Sequence, residues 1–580
     1  MENKTCQNCK KDFTIEPDDF SFYEKMKVPP PTFCPECRLI RRLARRNERS
    51  FYRRKCEKCQ KNGISVFPVE SGIHIYCSAC WASDGWEAMD YKADFDSTQI
   101  FITQLNNLFL TVPLMALYGL YTSNVNSEYS NMTSYLKNCY MVTYSDYGEN
   151  LIYGSFVNYC KDSIDNLMGK QLELCYETIN CNECYRIFFS VDCTSCADMW
   201  FSKNCVGCND CFGCVNLKQK SYYIFNEPYS REEYQEKIKE LLPTSLSKLS
   251  YAKRKAEAFC MQFPQKYFHG IRIINSSGDY LVDTKNVKDS FIGFNFEDCR
   301  FCSFVTGKLT DTYDFLNYGE DSSLIYETIQ AGDQSTNIKM CHWAMTHSQN
   351  LEYCLFCITC KDCFGCVGLK KKQYCILNKQ YTKEEYFKKR QEIIDQMNTV
   401  PFKDSVGLEY KYGEFLPIEI SPFAYNETTA QEFFPLKKEE AISKGYTWRD
   451  PEKRNYQPTI KAIDLPENIA EVTDEICNEI VECEHEGNCE EQCTQAFKII
   501  PEELAFYRRI ILPLPRLCPN CRHHKRIQYR NPMRLWHRSC MCTLSHHDHE
   551  DKCSNEFETS YAPNRPEIVY CERCYQQEVN

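Results

Sequence analysis

The middle of the chain, from about residue 123 onward, alternates short apolar runs with Asn, Asp and Cys. Two series of cysteines recur there at a step of 12 residues: Cys181, Cys193 and Cys205, and Cys184, Cys196 and Cys208. Repeats this short predict a β-solenoid with stacked turns, in which Asn and Asp fit tight corners because they tolerate left-handed backbone. Cysteine is small and apolar enough for a narrow interior. We therefore expect these cysteines to pack in a core.

The repeated unit occurs twice. The run CVGCNDCFGC at residues 205–214 is matched 152 residues later by CITCKDCFGC at residues 357–366. A similar segment follows each run and ends in a capping box, Ser230-x-x-Glu233 and Thr382-x-x-Glu385, which predicts the start of a helix. A longer helical stretch, at about residues 244–263, joins the two predicted solenoids.

The two ends of the chain follow a different pattern, in which pairs of cysteines are spaced as Cys-x2-Cys. Two such knuckles about 20 residues apart are typical of a zinc ribbon, because two thiolates from each complete a tetrahedron. The distances between knuckles repeat as well: 25, 19 and 18 residues separate Cys9–Cys34, Cys37–Cys56 and Cys59–Cys77, and the same numbers separate Cys493–Cys518, Cys521–Cys540 and Cys553–Cys571. The last 100 residues are therefore predicted to be a second copy of the N-terminal module.

Two knuckles of the C-terminal copy are irregular. One is Cys489-x3-Cys493, and the other is opened by an insertion between Cys540 and Cys553. We predict Cys489 and Cys540 as the ligands, with Cys542 as the main competitor of Cys540. The alternates are Cys483, Cys542, His546, His547 and His549.

Zinc is the cofactor that these sites predict, at about four ions per chain. The first ten residues carry no apolar secretory segment, no apolar run reaches 18 residues, and a cytoplasmic chain keeps its thiols reduced. Because each set supplies four thiolates and no open position, the zinc is predicted to be structural and the chain not to be an enzyme. The predicted ligands are Cys6, Cys9, Cys34, Cys37, Cys56, Cys59, Cys77, Cys80, Cys489, Cys493, Cys518, Cys521, Cys540, Cys553, Cys571 and Cys574.

Basic segments lie between the knuckles, although the chain carries a net charge of −11. Leu39, Ile40, Leu43 and Ala44 recur at helical spacing and predict a short basic amphipathic helix. Arginines interleaved with aromatic residues can hold phosphates and stack on bases. The predicted nucleic-acid contacts are Arg38, Arg41, Arg42, Arg45, Arg46, Arg49, Arg53, Arg54, Arg522, Lys525, Arg526, Arg530, Arg534 and Arg538. The alternative is internal ion pairing, for which the acidic stretch at residues 467–491 is the obvious candidate.

Two other kinds of chemistry are alternatives to a core of packed cysteines in the middle of the chain. The C-x2-C-x2-C runs resemble part of a ferredoxin motif, but the closing Cys-Pro is missing, so cluster or metal storage is the weaker interpretation. Some parallel β-helices cleave polysaccharides, and the acids Asp279, Asp283, Asp314 and Asp321 are present. Their spacing does not pair them across a cleft.

Five motifs resemble a family without an assigned activity: long, cysteine-rich zinc-ribbon and β-solenoid proteins associated with ultra-small candidate-phylum bacteria. The motifs are YCSACWASDGWEAMDYKADFD (76–96), CFGCVGLKKKQYCILNKQYTKEEYF (363–387), YGEFLPIEISPFAYNETTAQEFFPL (412–436), FKIIPEELAFYRR (497–509) and FETSYAPNRPEIVYCERCY (557–575). They are spread over nearly the whole chain and are specific as a set. The resemblance implies that individual ribbons have lost their cysteines in some relatives, so that metal is dispensable for the fold at those sites, and it implies no particular activity.

We predict a multidomain, mainly β chain with duplicated zinc-ribbon pairs flanking two β-solenoids with helical connectors. The segments are 1–95, double ribbon; 96–122, bridging amphipathic helix; 123–228, first solenoid; 229–268, helical connector; 269–381, second solenoid; 382–400, capping helix; 401–466, irregular linker draped over other domains; and 467–580, double ribbon. The predicted function is a zinc-binding scaffold that contacts RNA, DNA, the ribosome or polymerase. The alternatives are a protein-interaction or assembly unit that uses the solenoid faces, with a protein partner or as a homodimer, and a thiolate metal or redox buffer. No membrane contact is predicted.

Overall fold

Most of the strands belong to two long sheets in the middle of the chain. The computed structural model describes residues 1–450, 457–544, 547 and 549–579. Within them, 32% of the chain is strand and 25% is helix, and cysteine clusters lie at both termini, which confirms the predicted mainly β class with its two cysteine-rich ends. Residues 451–456 of the predicted linker, and the alternate ligand His546, lie outside the described residues.

The first sheet, which we call the first ladder, has 12 strands in the described residues. Nearly all neighbouring strands are parallel, and partners are 12 residues apart, as in Asn131–Thr143 and Asn209–Ser221. The cysteine spacing therefore predicted the register correctly. The strands are Gly119–Leu120, Asn131–Ser134, Thr143–Asp146, Glu149–Ile152, Ser155–Asn158, Lys161–Ile164, Leu167–Glu173, Asn182–Phe188, Ala197–Trp200, Asn209–Phe212, Ser221–Ile224 and Glu227–Pro228.

A period of three residues governs the backbone of this ladder. Tyr147, Asn150 and Tyr153 have φ values of 56°, 53° and 55°, and positive φ recurs at nearly every third position. Such φ values are strained for residues with a Cβ. Hydrogen bonds to the preceding rung offset the strain: the N–H of Asn150 donates to the Lys137 carbonyl at 2.9 Å, and that of Tyr153 donates to the Tyr140 carbonyl at 3.0 Å.

Cysteine and larger apolar side chains together fill the inside of the ladder, also at every third position. Cys193, Cys196 and Met199 belong to one cluster of buried residues, and each is at most 2% exposed. The Cys193 thiol lies 3.5 Å from the Val191 carbonyl and 3.7 Å from that of Ser202, so it fills space and also donates a weak hydrogen bond. This arrangement supports the prediction that the ladder cysteines pack in a core.

The second sheet, which we call the second ladder, has 13 strands in the described part of the chain. Paired residues on neighbouring strands are 12 positions apart at Asp279–Phe291, 13 apart at Thr312–Ile325 and again 12 apart at Gln349–Lys361. The strands are Gly270–Ile274, Gly278–Lys285, Ser290–Arg300, Ser303–Val305, Leu309–Tyr318, Ser322–Ala331, Thr336–Lys339, His342–Met345, Gln349–Glu352, Leu355–Ile358, Lys361–Phe364, Gln373–Ile376 and Lys379–Gln380.

Helices follow each ladder, and both predicted capping boxes are confirmed. The N–H of Glu233 donates to Ser230 Oγ at 3.2 Å, and the N–H of Glu385 donates to Thr382 Oγ1 at 3.3 Å. The α-helices are Pro17–Met26, Pro35–Leu43, Ser78–Ala82, Phe101–Thr111, Arg231–Leu241, Leu246–Cys260, Lys383–Thr399, Thr429–Phe433, Lys438–Ser443, Pro501–Ile510, Pro519–Gln528 and Glu572–Val579. The bridging helix thus covers only residues 101–111 of the predicted segment.

The remaining elements are short. The 3-10 helices are Val69–Ser71, Ala88–Tyr91, Tyr121–Ser123, Ile418–Ile420, Tyr425–Glu427, Ala462–Asp464, Ile469–Glu471 and Asp474–Asn478. The paired short strands are Glu2–Thr5 with Asp12–Ile15, Tyr52–Lys55 with Asn62–Ser65, Ile75–Tyr76 with Leu114–Met115, Gln265–Lys266 with Val569–Tyr570, Phe402–Lys403 with Glu409–Tyr410, Val481–Glu482 with Ala496–Phe497, and Trp536–Ser539 with Glu556–Thr559.

The segment predicted as a draped linker covers the N-terminal module. Phe415 and Tyr425 are at most 1% exposed and belong to the same buried cluster as residues of that module. Ser421 Oγ donates to the Ala44 carbonyl at 2.8 Å, and the N–H of Thr429 donates to the Arg46 carbonyl at 2.9 Å. Across the described residues, no helix has the length and apolar character needed to cross a bilayer.

Candidate metal centres

Four groups of four cysteines have their sulfur atoms within 4.8 Å of one another. We number them in chain order: site 1 is Cys6, Cys9, Cys34 and Cys37; site 2 is Cys56, Cys59, Cys77 and Cys80; site 3 is Cys483, Cys493, Cys518 and Cys521; and site 4 is Cys540, Cys553, Cys571 and Cys574. None of the cysteines in the described residues forms a disulfide. All eight predicted N-terminal ligands are brought together as predicted.

Each site joins the turn of a hairpin to the first turn of a helix. In site 1, Cys6 directly follows the strand Glu2–Thr5, and Cys34 is the N-cap of the helix Pro35–Leu43. Proline at the first helical position suits this arrangement because it lacks the N–H that would have no helical partner. The helix N-terminus also favours negative charge, which stabilises the thiolates.

One backbone hydrogen bond recurs in all four sites and identifies equivalent ligands. In every case the N–H of the first cysteine of the helix donates to the sulfur of the first cysteine of the hairpin, at 3.2 Å: Cys34 to Cys6, Cys77 to Cys56, Cys518 to Cys483, and Cys571 to Cys540. Cys483 and Cys540 therefore occupy the positions of Cys6 and Cys56.

Cys540 lies in site 4 at the position predicted for it, whereas in site 3 Cys483 takes the position that was predicted for Cys489. Cys483 directly follows the strand Val481–Glu482, and nine residues (484–492) separate it from Cys493. The close spacing of Cys489 and Cys493 resembles that of a knuckle. The pairing of the hairpin strands, however, puts Cys483 at the position of the first cysteine. The Cys489 sulfur lies 3.7 Å from that of Cys521, so it remains beside the site.

The distances between sulfur atoms fit a tetrahedral metal. With metal–sulfur bonds of about 2.3 Å, the edge of the tetrahedron is about 3.8 Å. The observed values are 3.7 Å for Cys9–Cys34, 3.8 Å for Cys59–Cys77, 3.9 Å for Cys483–Cys521, 4.0 Å for Cys493–Cys518, 3.5 Å for Cys518–Cys521 and 3.9 Å for Cys553–Cys571. The residues present therefore fit a metal that takes four thiolates.

Local hydrogen bonds favour a thiolate in sites 1, 2 and 4. The neighbouring thiols of Cys34 and Cys37 lower the pKa of Cys6 well below its usual value. In site 2, burial alone would raise the pKa of Cys56, but backbone hydrogen bonds lower it to about 6. In site 4, burial is likewise outweighed by the Asn555 side chain, so the pKa of Cys571 falls to about 7. Such thiols are ready to bind a cation.

The insertion in site 4 brings a second group of ligands together. Cys542, His547, His549 and Cys574 also have their ligand atoms within 4.8 Å of one another. Cys574 belongs to both groups. Three of the alternate ligands, Cys542, His547 and His549, therefore lie next to site 4 and replace none of its four cysteines. The sequence alone leaves open whether these residues replace or supplement a ligand.

Most of the arginines predicted to bind nucleic acid are buried. Arg38, Arg41, Arg42, Arg45, Arg46, Arg522, Arg526 and Arg530 are each at most 5% exposed. Arg49, Arg54 and Arg538 are half-buried, whereas Arg53, Lys525 and Arg534 are exposed. Contact with nucleic acid through the buried arginines is therefore unsupported.

In the N-terminal module, Arg38, Arg41 and Arg42 pair with acids of the second ladder, and Arg41 also pairs with Glu414 of the segment that follows it. Arg38 lies 2.9 Å from Asp314, and Arg42 lies 3.2 Å from Asp314 and 3.1 Å from Glu327. Arg41 is 2.8 Å from Glu327 and 2.9 Å from Glu414. Burial alone would lower the pKa of Arg38, but Asp314 holds it well above its usual value.

The C-terminal module makes the matching contacts with the first ladder. Arg522 and Arg526, which correspond to Arg38 and Arg42 in the duplicated module, lie 2.9 Å and 2.8 Å from Asp165. Arg526 is also 3.9 Å from Glu177. Asp165 and Glu177 are on adjacent rungs, as are Asp314 and Glu327. The amphipathic helix was predicted correctly, but its acidic partners come mainly from the ladders and not from residues 467–491.

Comparisons with known proteins identify no family. No protein-family model matches the chain, and no curated protein matches it. A solved structure from Desulfovibrio desulfuricans G20, described as an acetyltransferase, is similar at 11% identity with a TM-score of 0.10; the match covers 39% of this chain and 63% of that chain. A likeness this slight carries no argument about fold or activity.

Proposed function

We propose that this chain is a non-enzymatic, zinc-binding scaffold whose two ladders are β-solenoids. In this proposal, four zinc ions fold the terminal modules, and buried arginines fasten each module to one solenoid. The observation that carries the proposal is the spacing of the sulfur atoms in sites 1 to 4, which lies close to the edge of a zinc tetrathiolate tetrahedron.

The ligand set supports a structural metal over a catalytic one. Four thiolates complete a tetrahedral zinc site, whereas catalytic zinc usually keeps one position for water or substrate. Tetrahedral sulfur sites also suit iron, so the choice of zinc is part of the proposal. Each structural zinc contributes about 10 kcal/mol or more to folding.

Metal analysis of the purified full-length chain tests the proposal. We expect at least four zinc ions per chain and no visible absorption from iron. Cys37→Ser should lower the count by one, while the matched control Cys193→Ser, in the first ladder, should leave it unchanged. A zinc content below four, or iron in place of zinc, would contradict the proposal.

We further propose that a partner protein, rather than nucleic acid, uses the exposed face of the first ladder. Tyr135, Tyr147 and Tyr159 are 49%, 49% and 54% exposed. Their rings stack with centroids 4.7 Å and 4.8 Å apart, which makes a continuous aromatic ridge. Exposed apolar patches often mark interaction sites.

Affinity purification from the native cell separates these candidates. We expect a defined protein to remain bound, to be lost in the Tyr147→Ser/Tyr159→Ser variant, and to be retained in Tyr251→Ser, a control at another exposed tyrosine. Recovery of RNA or DNA whose binding weakens with salt would favour the nucleic-acid function instead. Binding that survives the double variant would rule out the tyrosine ridge.

In the first ladder, the buried thiols of Cys139, Cys160 and Cys175 argue against a metal or redox buffer. Burial raises the pKa of Cys139 to about 11 and the pKa values of Cys160 and Cys175 to about 12. These side chains keep their protons at neutral pH, whereas metals and oxidants react with the thiolate. We propose that they fill space in a reducing, cytoplasmic environment.

A further inference from the structure

We infer that the second group beside site 4, formed by Cys542, His547, His549 and Cys574, binds its own zinc ion. The Cys574 thiolate would then bridge this ion and the zinc of site 4 to form a two-zinc cluster. The inference rests on the proposed zinc in site 4. It goes beyond that function because it adds a metal and a different coordination chemistry.

The distances fit a site with two sulfur and two nitrogen ligands. Zinc–sulfur bonds of about 2.3 Å and zinc–nitrogen bonds of about 2.0–2.1 Å place the two kinds of ligand about 3.5 Å apart in a tetrahedron. His549 Nε2 lies 3.5 Å from Cys574 Sγ, and His547 Nδ1 lies 3.1 Å from Cys542 Sγ.

Both histidines are oriented as metal ligands usually are. The His549 Nδ1–H donates to the Asp551 carbonyl at 2.7 Å, which leaves the Nε2 lone pair directed at the thiols. His547 Nε2 lies 3.4 Å from a carboxylate oxygen of Glu578, which leaves Nδ1 on the thiol side. Such outer partners fix the ring and raise its basicity toward a metal.

Burial and the backbone hold the group in place. Cys542 and Cys574 are fully buried, and His547 is 2% exposed. The N–H of Cys553, a ligand of site 4, donates to the Cys542 carbonyl at 3.0 Å. The two groups of ligands are therefore tied together by the backbone as well as by Cys574.

Sharing of one thiolate also improves the charge balance. A single zinc with four thiolates carries a net charge of about −2, whereas two zinc ions with five thiolates and two neutral histidines carry about −1. Burial favours the arrangement with less net charge. Site 2 provides an internal contrast, because only Glu57 and Lys58 separate Cys56 from Cys59.

Native mass spectrometry of the zinc-loaded full-length chain tests the inference. We expect five zinc ions, falling to four in Cys542→Ser and in His549→Asn. His537→Asn, in the same module but outside the group, should keep five. A count of four that neither Cys542→Ser nor His549→Asn changes would overturn the second ion and leave the proposed function intact. A count below four would contradict the proposed function itself.

Cadmium NMR provides a readout that does not depend on a variant folding. In the fully 113Cd-substituted chain we expect two resonances coupled to each other through the Cys574 sulfur. One should have the shift of an all-sulfur site, and the other should move upfield because of its nitrogen ligands. The absence of any coupled pair would overturn the shared thiolate.

Discussion

The two terminal modules are built alike but differ in the turns that hold the first two cysteines of each candidate metal site. In the N-terminal module both turns are short, with two residues between the cysteines. In the C-terminal module, nine residues (484–492) separate Cys483 from Cys493, and twelve (541–552) separate Cys540 from Cys553. The hydrogen bond from the helix to the first sulfur is nevertheless 3.2 Å long in all four sites.

This difference shows which part of the module is constrained. The hairpin strands and the helix N-terminus fix the ligand positions, whereas the length of chain between the two hairpin cysteines is free to grow. Longer loops cost little additional closure entropy, about 0.6 kcal/mol for each doubling. Both widened turns carry further side chains that could bind a metal, including Cys489 in one and His547 in the other, which the two-residue turns of the N-terminal copy do not carry.

Removal of the metals should have the largest effect. Because each structural zinc contributes about 10 kcal/mol or more, we expect a strong chelator to unfold both modules while the ladders keep their hydrogen-bonded cores. Site 2 should lose its metal first, since Cys59 is exposed, and site 4 last, since its four cysteines are buried. Zinc release followed with a colorimetric chelator, and hydrogen exchange resolved by segment, measure the two results. Simultaneous loss of protection in modules and ladders would contradict this order.

The second largest effect should come from the acids that hold the modules. Removal of one partner of a buried ion pair costs about 3–5 kcal/mol. We expect Asp314→Ala to loosen the N-terminal module and Asp165→Ala to loosen the C-terminal module by similar amounts, because each acid pairs with two arginines. Denaturant unfolding, together with proteolysis of each end, measures the loss.

An exposed pair is the matched control for these acids. Arg272 and Asp283 are 68% and 45% exposed, and exposed pairs contribute only about 0–1 kcal/mol. Asp283→Ala should therefore leave both ends resistant to protease. If Asp314→Ala behaved like Asp283→Ala, the buried arginines would not be what fastens the module.

Local patterns predicted much of this architecture. Cysteine spacing identified the N-terminal sites and the 12-residue step of the first ladder, and the sequences around Ser230 and Thr382 identified their capping boxes. These features depend on residues near one another in the sequence or repeated at a fixed interval. The run from Cys205 to Cys214 has the three-residue period of the ladder in its own cysteine spacing.

Long-range contacts were beyond what the sequence pattern could show. The spacing of Arg38 and Arg42 predicts a basic helix face, but whether that face meets water, phosphate or carboxylate depends on residues almost 300 positions away. The choice of Cys483 over Cys489 likewise depends on the register of a two-residue strand, Val481–Glu482. Cysteine spacing alone favours Cys489, because Cys489 is nearer than Cys483 to Cys493 in the sequence.

Cys489 should make the third site more tolerant than the first. Its sulfur is 3.7 Å from Cys521, so it can take the place of Cys483 after a small movement. We expect Cys6→Ser to empty site 1, whereas Cys483→Ser keeps zinc in site 3 with weaker affinity. Cys489→Ser alone should keep all metals, and Cys483→Ser/Cys489→Ser should lose one. The zinc content of each variant, measured by mass spectrometry, tests this prediction. Loss of a zinc ion in Cys489→Ser would show that Cys489 is itself a ligand in the unmodified protein.

The smallest effect should come from a position at which the two basic helices differ in burial. Arg41 is 2% exposed and contacts Glu327 and Glu414, while its counterpart Lys525 is exposed. Surface substitutions usually change stability by no more than about 0.5 kcal/mol, so Lys525→Ala should leave the unfolding midpoint nearly unchanged. Arg41→Ala should lower it clearly, because Glu327 and Glu414 would lose a buried partner.

Lys525 also belongs to the exposed part of the predicted nucleic-acid surface. If Lys525→Ala abolished salt-dependent RNA binding at unchanged stability, nucleic acid would be the favoured partner. It would then bind to the exposed face of this helix and not to the buried arginines.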